Sequence, residues 1–342
     1  MDLEFRSDNA AGVAPEIMQA VEAANRGSAL AYGADEWSER LRTVVASVFE
    51  YPDVRVYPVL TGTAANAIGL SAMCQPWSSV LCHETAHILR SEGGATSMFG
   101  AGVVMKGLVG DHYKIEDAAL TTEFTLTRWG DPHHSQPSVL SLTNPTDLGT
   151  VYDVHQVSAL AQRAATRGLA THMDGARLAN ALATLDCSAA DLTWRAGVSM
   201  LSLGATKNGA MTADAIVCFD DRYHEALTYR LKRSGQVASK MRFQSIQLSA
   251  YLEDGLWLKL AHSANDAMSA LAAGIEALGF AFVIKPDVNM LFVYVTDDQV
   301  ARLQKAGMLF YRTAPNTVRL VTSFQTTQAQ VQQAIEIFKA IS

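Results

Sequence analysis

Between about residue 35 and residue 219 the chain alternates short apolar runs with stretches of helical periodicity, and that alternation leaves few folds open. The strand-like runs are Arg55 to Leu60, Val80 to Cys82, Val139 to Thr143, Leu169 to Met173, Val198 to Leu203 and Ala215 to Phe219. Helical patterns separate most of them: Glu36 to Phe49 after a capping Asp35, an Ala-rich stretch to about Cys74, and Val154 to Arg167. Repeated β-α-β units imply an α/β fold with a mostly parallel sheet covered on both faces. After roughly residue 250 the pattern changes to a long helix from Trp257 to Leu278, three strand-like runs, and a last helix opened by Thr327 and Gln330 in capping-box spacing. Residues 1–250 are therefore expected to form the large domain and residues 251–342 a small C-terminal α+β domain.

Composition excludes several function classes. A formal net charge of -7 with scattered Lys and Arg offers no basic stripe, so nucleic acid is not an expected partner. No apolar run reaches the roughly 18 residues of a membrane span, and the N-terminus lacks a secretory pattern. Four cysteines (Cys74, Cys82, Cys187, Cys218) form no Cys-x-x-Cys pair and are expected to be buried and reduced, as in a cytoplasmic protein. The histidines do not combine into a metal site; His83, Glu84 and His87 lack zincin spacing.

Two groups stand at strand ends, where an open α/β sheet presents its ligand groups. Asp174 closes Leu169-Ala-Thr-His-Met-Asp174, and Lys207 follows Val198-Ser-Met-Leu-Ser-Leu203 by a short turn. Pyridoxal phosphate needs an amine to hold its aldehyde and a carboxylate to keep its pyridine nitrogen protonated, which Lys207 and Asp174 would supply. The plain alternatives are a solvated surface lysine and a helix-capping aspartate. A third element, Val59-Leu-Thr-Gly-Thr-Ala-Ala-Asn66, reads as a strand turning into a helix start, where Gly62 and Thr63 could receive a phosphate.

In order along the chain, Arg6-Ser-Asp8, Ala31-Tyr-Gly33, Thr61-Gly-Thr-Ala-Ala-Asn66, Ala86-His87 with Glu92-Gly-Gly94, His172-Met-Asp-Gly-Ala-Arg177, Thr206-Lys-Asn-Gly209 and Val318-Arg-Leu-Val-Thr322 form a series. This series resembles the low-specificity L-threonine aldolases, fold-type I pyridoxal phosphate enzymes of the β-eliminating lyase superfamily. The resemblance implies an aspartate aminotransferase-like fold. It implies that Lys207 binds the cofactor, Asp174 faces its pyridine nitrogen, and His87 stacks on its ring, with His83 second in line for that place. Arg177 and Arg319, helped by Ser7, would hold the substrate carboxylate. Arg242, or less directly Lys232, would complete the phosphate site. Tyr32 and Asp35 would come from a neighbouring subunit of a homo-oligomer, a dimer of dimers with shared sites.

One stretch departs from the family. Leu142-Thr-Asn-Pro-Thr-Asp-Leu-Gly149 stands where many members carry Glu-Asn-Thr-His, so a histidine near the substrate hydroxyl is missing. Asp147, His133 or His134 is left to occupy that space, and His87 or His133 is the expected base. The implied reaction on a small amino-acid substrate is retro-aldol cleavage of L-threonine, L-allo-threonine or phenylserine to glycine and an aldehyde. β-Elimination or racemisation of a small L-amino acid on the same site is the alternative, and a non-catalytic cofactor carrier a third.

Overall fold

A computed structural model describes residues 3–342. Its central sheet has seven strands in the order Arg55–Val59, Asp214–Cys218, Val198–Leu203, Ala170–Gly175, Gln136–Thr143, Ser78–His83, Val104–Leu108. Asp214–Cys218 runs antiparallel to both neighbours, and every other pairing in the sheet is parallel. This is the expected α/β architecture. Strands such as Ser78–His83 and Asp214–Cys218 are buried at every position because helices cover both faces, so their apolar parts, Val80 to Cys82 and Ala215 to Cys218, read as short runs without alternation. The edge strand Val104–Leu108 went unread in the sequence; it is mostly exposed and carries Lys106 and Gly107.

The helix Gly62–Met73 is buried on nearly all sides. It packs on the sheet beneath the helix His224–Arg233 and the short helix Ala95–Phe99, which explains its lack of a polar face. Truncating Leu70, fully buried there, to alanine would cost about 2–5 kcal/mol. Thr61 caps the helix by accepting from the Ala64 N–H, which fixes where its first turn points.

The second unit is a three-stranded antiparallel sheet, Tyr311–Ala314, Thr317–Val321 and Met290–Tyr294, packed on the helices Leu256–Ala277 and Gln328–Lys339. Leu3 and Phe5 lie in its core, and Leu3–Glu4 pairs parallel with Met308–Leu309. These residues lie within the 1–250 span expected for the large domain; a two-residue strand has no period by which to identify its partner. No described helix is long and apolar enough to cross a membrane. The four cysteines are free, but only Cys74, Cys82 and Cys218 are buried; Cys187 is half-buried, contrary to expectation.

Candidate active site

The C-terminal ends of the parallel strands open into a cavity of ≈ 690 Å3. Lys207 enters it from the single turn Thr206–Asn208 that follows the strand Val198–Leu203. The turn is anchored from below, since the buried Asn208 amide donates to the Tyr251 hydroxyl at 3.0 Å and the Trp257 carbonyl at 2.8 Å. At Gly204 any Cβ would stand 2.3 Å from the Ala176 carbonyl oxygen, so glycine is what lets the loops carrying Lys207 and Asp174 close on each other. The Lys207 amine has no hydrogen-bond or ion-pair partner among the described residues. Burial, and then the charge of Arg177, push its pKa below the usual lysine range, which enlarges the nucleophilic fraction of the amine near neutral pH.

Asp174 is buried at the end of the strand Ala170–Gly175. Its Oδ1 accepts from the Ala176 N–H at 3.1 Å and its Oδ2 from Asn66 Nδ2 at 3.0 Å. Asn66 Nδ2 also donates to Glu92 Oε1 at 2.9 Å, and that same oxygen lies 3.0 Å from His87 Nδ1. A continuous chain of polar contacts therefore links Asp174 to His87. The bond to Glu92 raises the His87 pKa, and the charges of Asp147 and Asp174 add to it, against the opposing effect of burial. Sequence reasoning quoted Asn66 and Glu92 but assigned them no role. A polar side chain one turn into an otherwise apolar helix start was the available signal for Asn66.

Arg177 and Arg319 also line the cavity, close enough to act on each other electrostatically. Arg177 donates through Nε to Asp8 Oδ2 at 2.6 Å and through Nη2 to Asp8 Oδ1 at 2.9 Å, a two-pronged pair that is almost wholly buried. Asn289 Nδ2 steadies Asp8 at 3.1 Å. Ser7 lines the cavity and caps the turn Asp8–Ala10. Arg319 comes from the small unit, donates to the Arg6 carbonyl at 3.1 Å, and leaves Nε shielded from solvent without a partner. Gly62, Thr63 and Asp147 complete the set of expected residues that the fold brings together.

Several expectations are corrected. His133 and His134 are exposed in the turn before the strand Gln136–Thr143, whose far end, Thr143, lines the cavity. Eight strand residues at roughly 3.3 Å each separate them from the site by about 25 Å, so neither stands near a substrate. His83 ends a strand and does not share a helical face with His87; its ring bonds Thr85 and the Gly110 carbonyl. Arg242 lies outside the cavity, over the Phe243 ring and near the Gly27 carbonyl, and Lys232 sits over the Tyr32 ring. Tyr32 is not among the corrected residues: expected at a neighbouring subunit's site, it is exposed and outside the cavity of its own chain, while buried Asp35, expected there too, is spent on Ser38 as a helix cap.

Nine buried side-chain polar atoms lack a partner among the described residues, and six of them belong to residues that line this cavity: Asn66, Glu92, Thr143, Asp147, Thr206 and Arg319. Such a concentration is what a polar ligand site looks like when only the protein's own atoms are counted.

The fold is that of the aminotransferase-like α/β enzymes. Aspartate aminotransferase from Thermus thermophilus shares it at a TM-score of 0.73 and 16% identity, covering 100% of this chain and 92% of that one, a likeness of fold alone. Residues 4–298 match the beta-eliminating lyase family, and the chain belongs to that family. It is 36% identical to the low specificity L-threonine aldolase of a Pseudomonas species across 99% of this chain and 97% of that one. Threonine aldolase from Leishmania major has the same fold at a TM-score of 0.93 and 26% identity, covering 98% of each chain.

Proposed function

We propose that this protein is a pyridoxal phosphate-dependent aldolase that cleaves L-threonine, L-allo-threonine and related L-β-hydroxy-α-amino acids to glycine and an aldehyde. The observation that carries the reading is one cavity holding an unpartnered lysine amine, a buried carboxylate, and two guanidinium groups. The residues present fit the cofactor. Lys207 would take its aldehyde, Asp174 would face its pyridine nitrogen, and the helix start at Gly62 and Thr63 would receive its phosphate. When bound, the group supplies an electron sink for the pair released at Cα.

The chain's own residues do the rest. Arg177, preset by Asp8, and Arg319, with its free Nε, hold the substrate carboxylate and so orient the Cα–Cβ bond. Asn66 holds Asp174 in place and keeps the carboxylate supplied with a donor. His87, steered by Glu92, covers the other side of the site. The names of the two relatives matched at 36% and 38% identity over most of the chain support cleavage over elimination or racemisation.

The working assembly is a homo-oligomer, a dimer or dimer of dimers, with shared sites. The cations lining the cavity are Arg6, Arg177, Lys207 and Arg319, none of them on the Gly62–Thr63 segment, so a phosphate there gains no guanidinium from the segment that cradles it. Exposed Tyr32, with Lys232 above its ring, is a surface suited to close a neighbour's cavity. Four free thiols suit the reducing cytoplasm. Purified protein with added pyridoxal phosphate, assayed on L-threonine, L-allo-threonine and phenylserine, should yield glycine plus aldehyde; 2-oxobutanoate plus ammonia from either threonine, or phenylpyruvate plus ammonia from phenylserine, would refute the reading.

A further inference from the structure

The geometry points to Asp147 as the catalytic base that takes the proton of the substrate's β-hydroxyl, the place of the histidine this chain lacks. The inference rests on the aldolase reading and deepens it.

The loop after the strand Gln136–Thr143 is held rigidly. Asn144 exchanges hydrogen bonds with Tyr152, donating to its carbonyl at 3.0 Å and accepting from its N–H at 3.1 Å. The Thr146 N–H donates to the Thr150 carbonyl at 2.8 Å, and their hydroxyls lie 2.7 Å apart. Asp147 sits within this braced turn and its side chain lines the cavity. The carboxyl itself takes no hydrogen bond or ion pair among the described residues, and Oδ2 is shielded from solvent. A carboxyl so placed contributes nothing to holding the loop. Burying it without a partner costs stability, which marks it as a group aimed at a ligand.

Its surroundings are asymmetric. Asp174 faces it from the neighbouring strand end, and His87, Arg177, Lys207 and Arg319 face it from the short helix His87–Arg90, the two strand-end loops and the small unit. It thus lies among the ring-covering histidine and the carboxylate-binding arginines, where a substrate bound by both ends of its α-carbon must place its β-substituent. Burial and the Asp174 charge lift its pKa above the ordinary carboxylate range, against the pull of the cations, and that shift strengthens it as a base. The competing histidine is poorly suited: Nδ1 of His87 is taken by Glu92, and the resulting rise in pKa favours the charged ring, which cannot accept a proton.

In the step, the O–H bond breaks toward Asp147 Oδ2 and its electron pair becomes the second C–O bond of the aldehyde. The Cα–Cβ bond breaks, its pair remains with the glycine half, and one proton returned to Cα balances the one removed.

The test compares the unaltered enzyme with Asp147→Asn, both loaded with pyridoxal phosphate. Three measurements are made: threonine turnover, glycine affinity by calorimetry, and exchange of the glycine α-hydrogen with deuterated solvent by NMR. Glycine has no hydroxyl, so its two readouts report an intact fold and site. The expected result is a loss of threonine turnover of about 100-fold or more, with both glycine readouts within about threefold of the parent. Formate should restore part of the turnover of Asp147→Ala. Turnover of Asp147→Asn within about threefold of the parent overturns the inference, as does a parallel loss of glycine binding and exchange. An unaltered enzyme that binds glycine but cleaves no β-hydroxy amino acid would refute the aldolase reading instead.

Discussion

Replacing Asp8 with alanine tests how the carboxylate side of the cavity is held together. Asp8 is 2% exposed and Arg177's side chain 12%, so solvent does little for either. Removing the acceptor leaves two guanidinium N–H groups, formerly bonded at 2.6 and 2.9 Å, without partners in a buried place. Hydrogen bonds of charged groups contribute about 1.5–3 kcal/mol each, and breaking a buried pair from one side costs about 3–5 kcal/mol. With water admitted from the cavity to recover a part, a loss of about 3–4 kcal/mol is expected. With an unfolding entropy of about 2.1 cal/mol/K per residue, that lowers the Tm by roughly 4–6 °C. The freed arginine should also raise KM for threonine about tenfold while kcat falls less. The pH dependence has a definite sign. Burial alone would raise the Asp8 pKa, but the charge and hydrogen bonds of Arg177 outweigh it and hold the carboxyl below its usual range. A lowered folded-state pKa stabilises the protein above the unfolded value of about 3.9, and the contribution disappears as pH falls through the folded value. The stability gap between parent and variant, measured by denaturant unfolding, should therefore be full at neutral pH and shrink only below about pH 4. A gap under about 1 kcal/mol at neutral pH with an unchanged KM would refute the pairing as the arginine's support.

Lys207→Ala should abolish borohydride trapping of the cofactor on the protein and slow turnover by about 5 kcal/mol or more in barrier; covalent trapping at full stoichiometry would remove Lys207 from its role. Asp174→Asn should keep the fold, since the amide oxygen still accepts from Asn66 and only the bond from the Ala176 N–H is given up, yet slow cleavage more than it weakens substrate binding; unchanged kcat with cofactor bound would reduce Asp174 to a structural acceptor. In light scattering at assay concentration the active species should be a dimer or larger with closed symmetry, and a fully active monomer would contradict shared sites.

The alternation of apolar runs and helical periods was enough to read six of the seven sheet strands, the helix starts at Asp35 and Thr327, and the strand-end positions of Asp174 and Lys207. These are local properties: a period of two or 3.6 residues and a cap three residues away lie within one window of sequence. The strand Val104–Leu108 escaped because an exposed edge needs no apolar face to pack. Which side chains meet is decided by strand order, and strand order is set by crossovers of dozens of residues that leave no mark on local composition. The sequence therefore offered His133 as readily as Asp147 for the substrate hydroxyl. The parallel direction of Gln136–Thr143 separated them, placing one at the closed end of the sheet and the other in the cavity. The same is true of Asp8 with Arg177 and of Asn66 with Asp174, pairs 169 and 108 residues apart whose contact required the whole sheet to assemble between them.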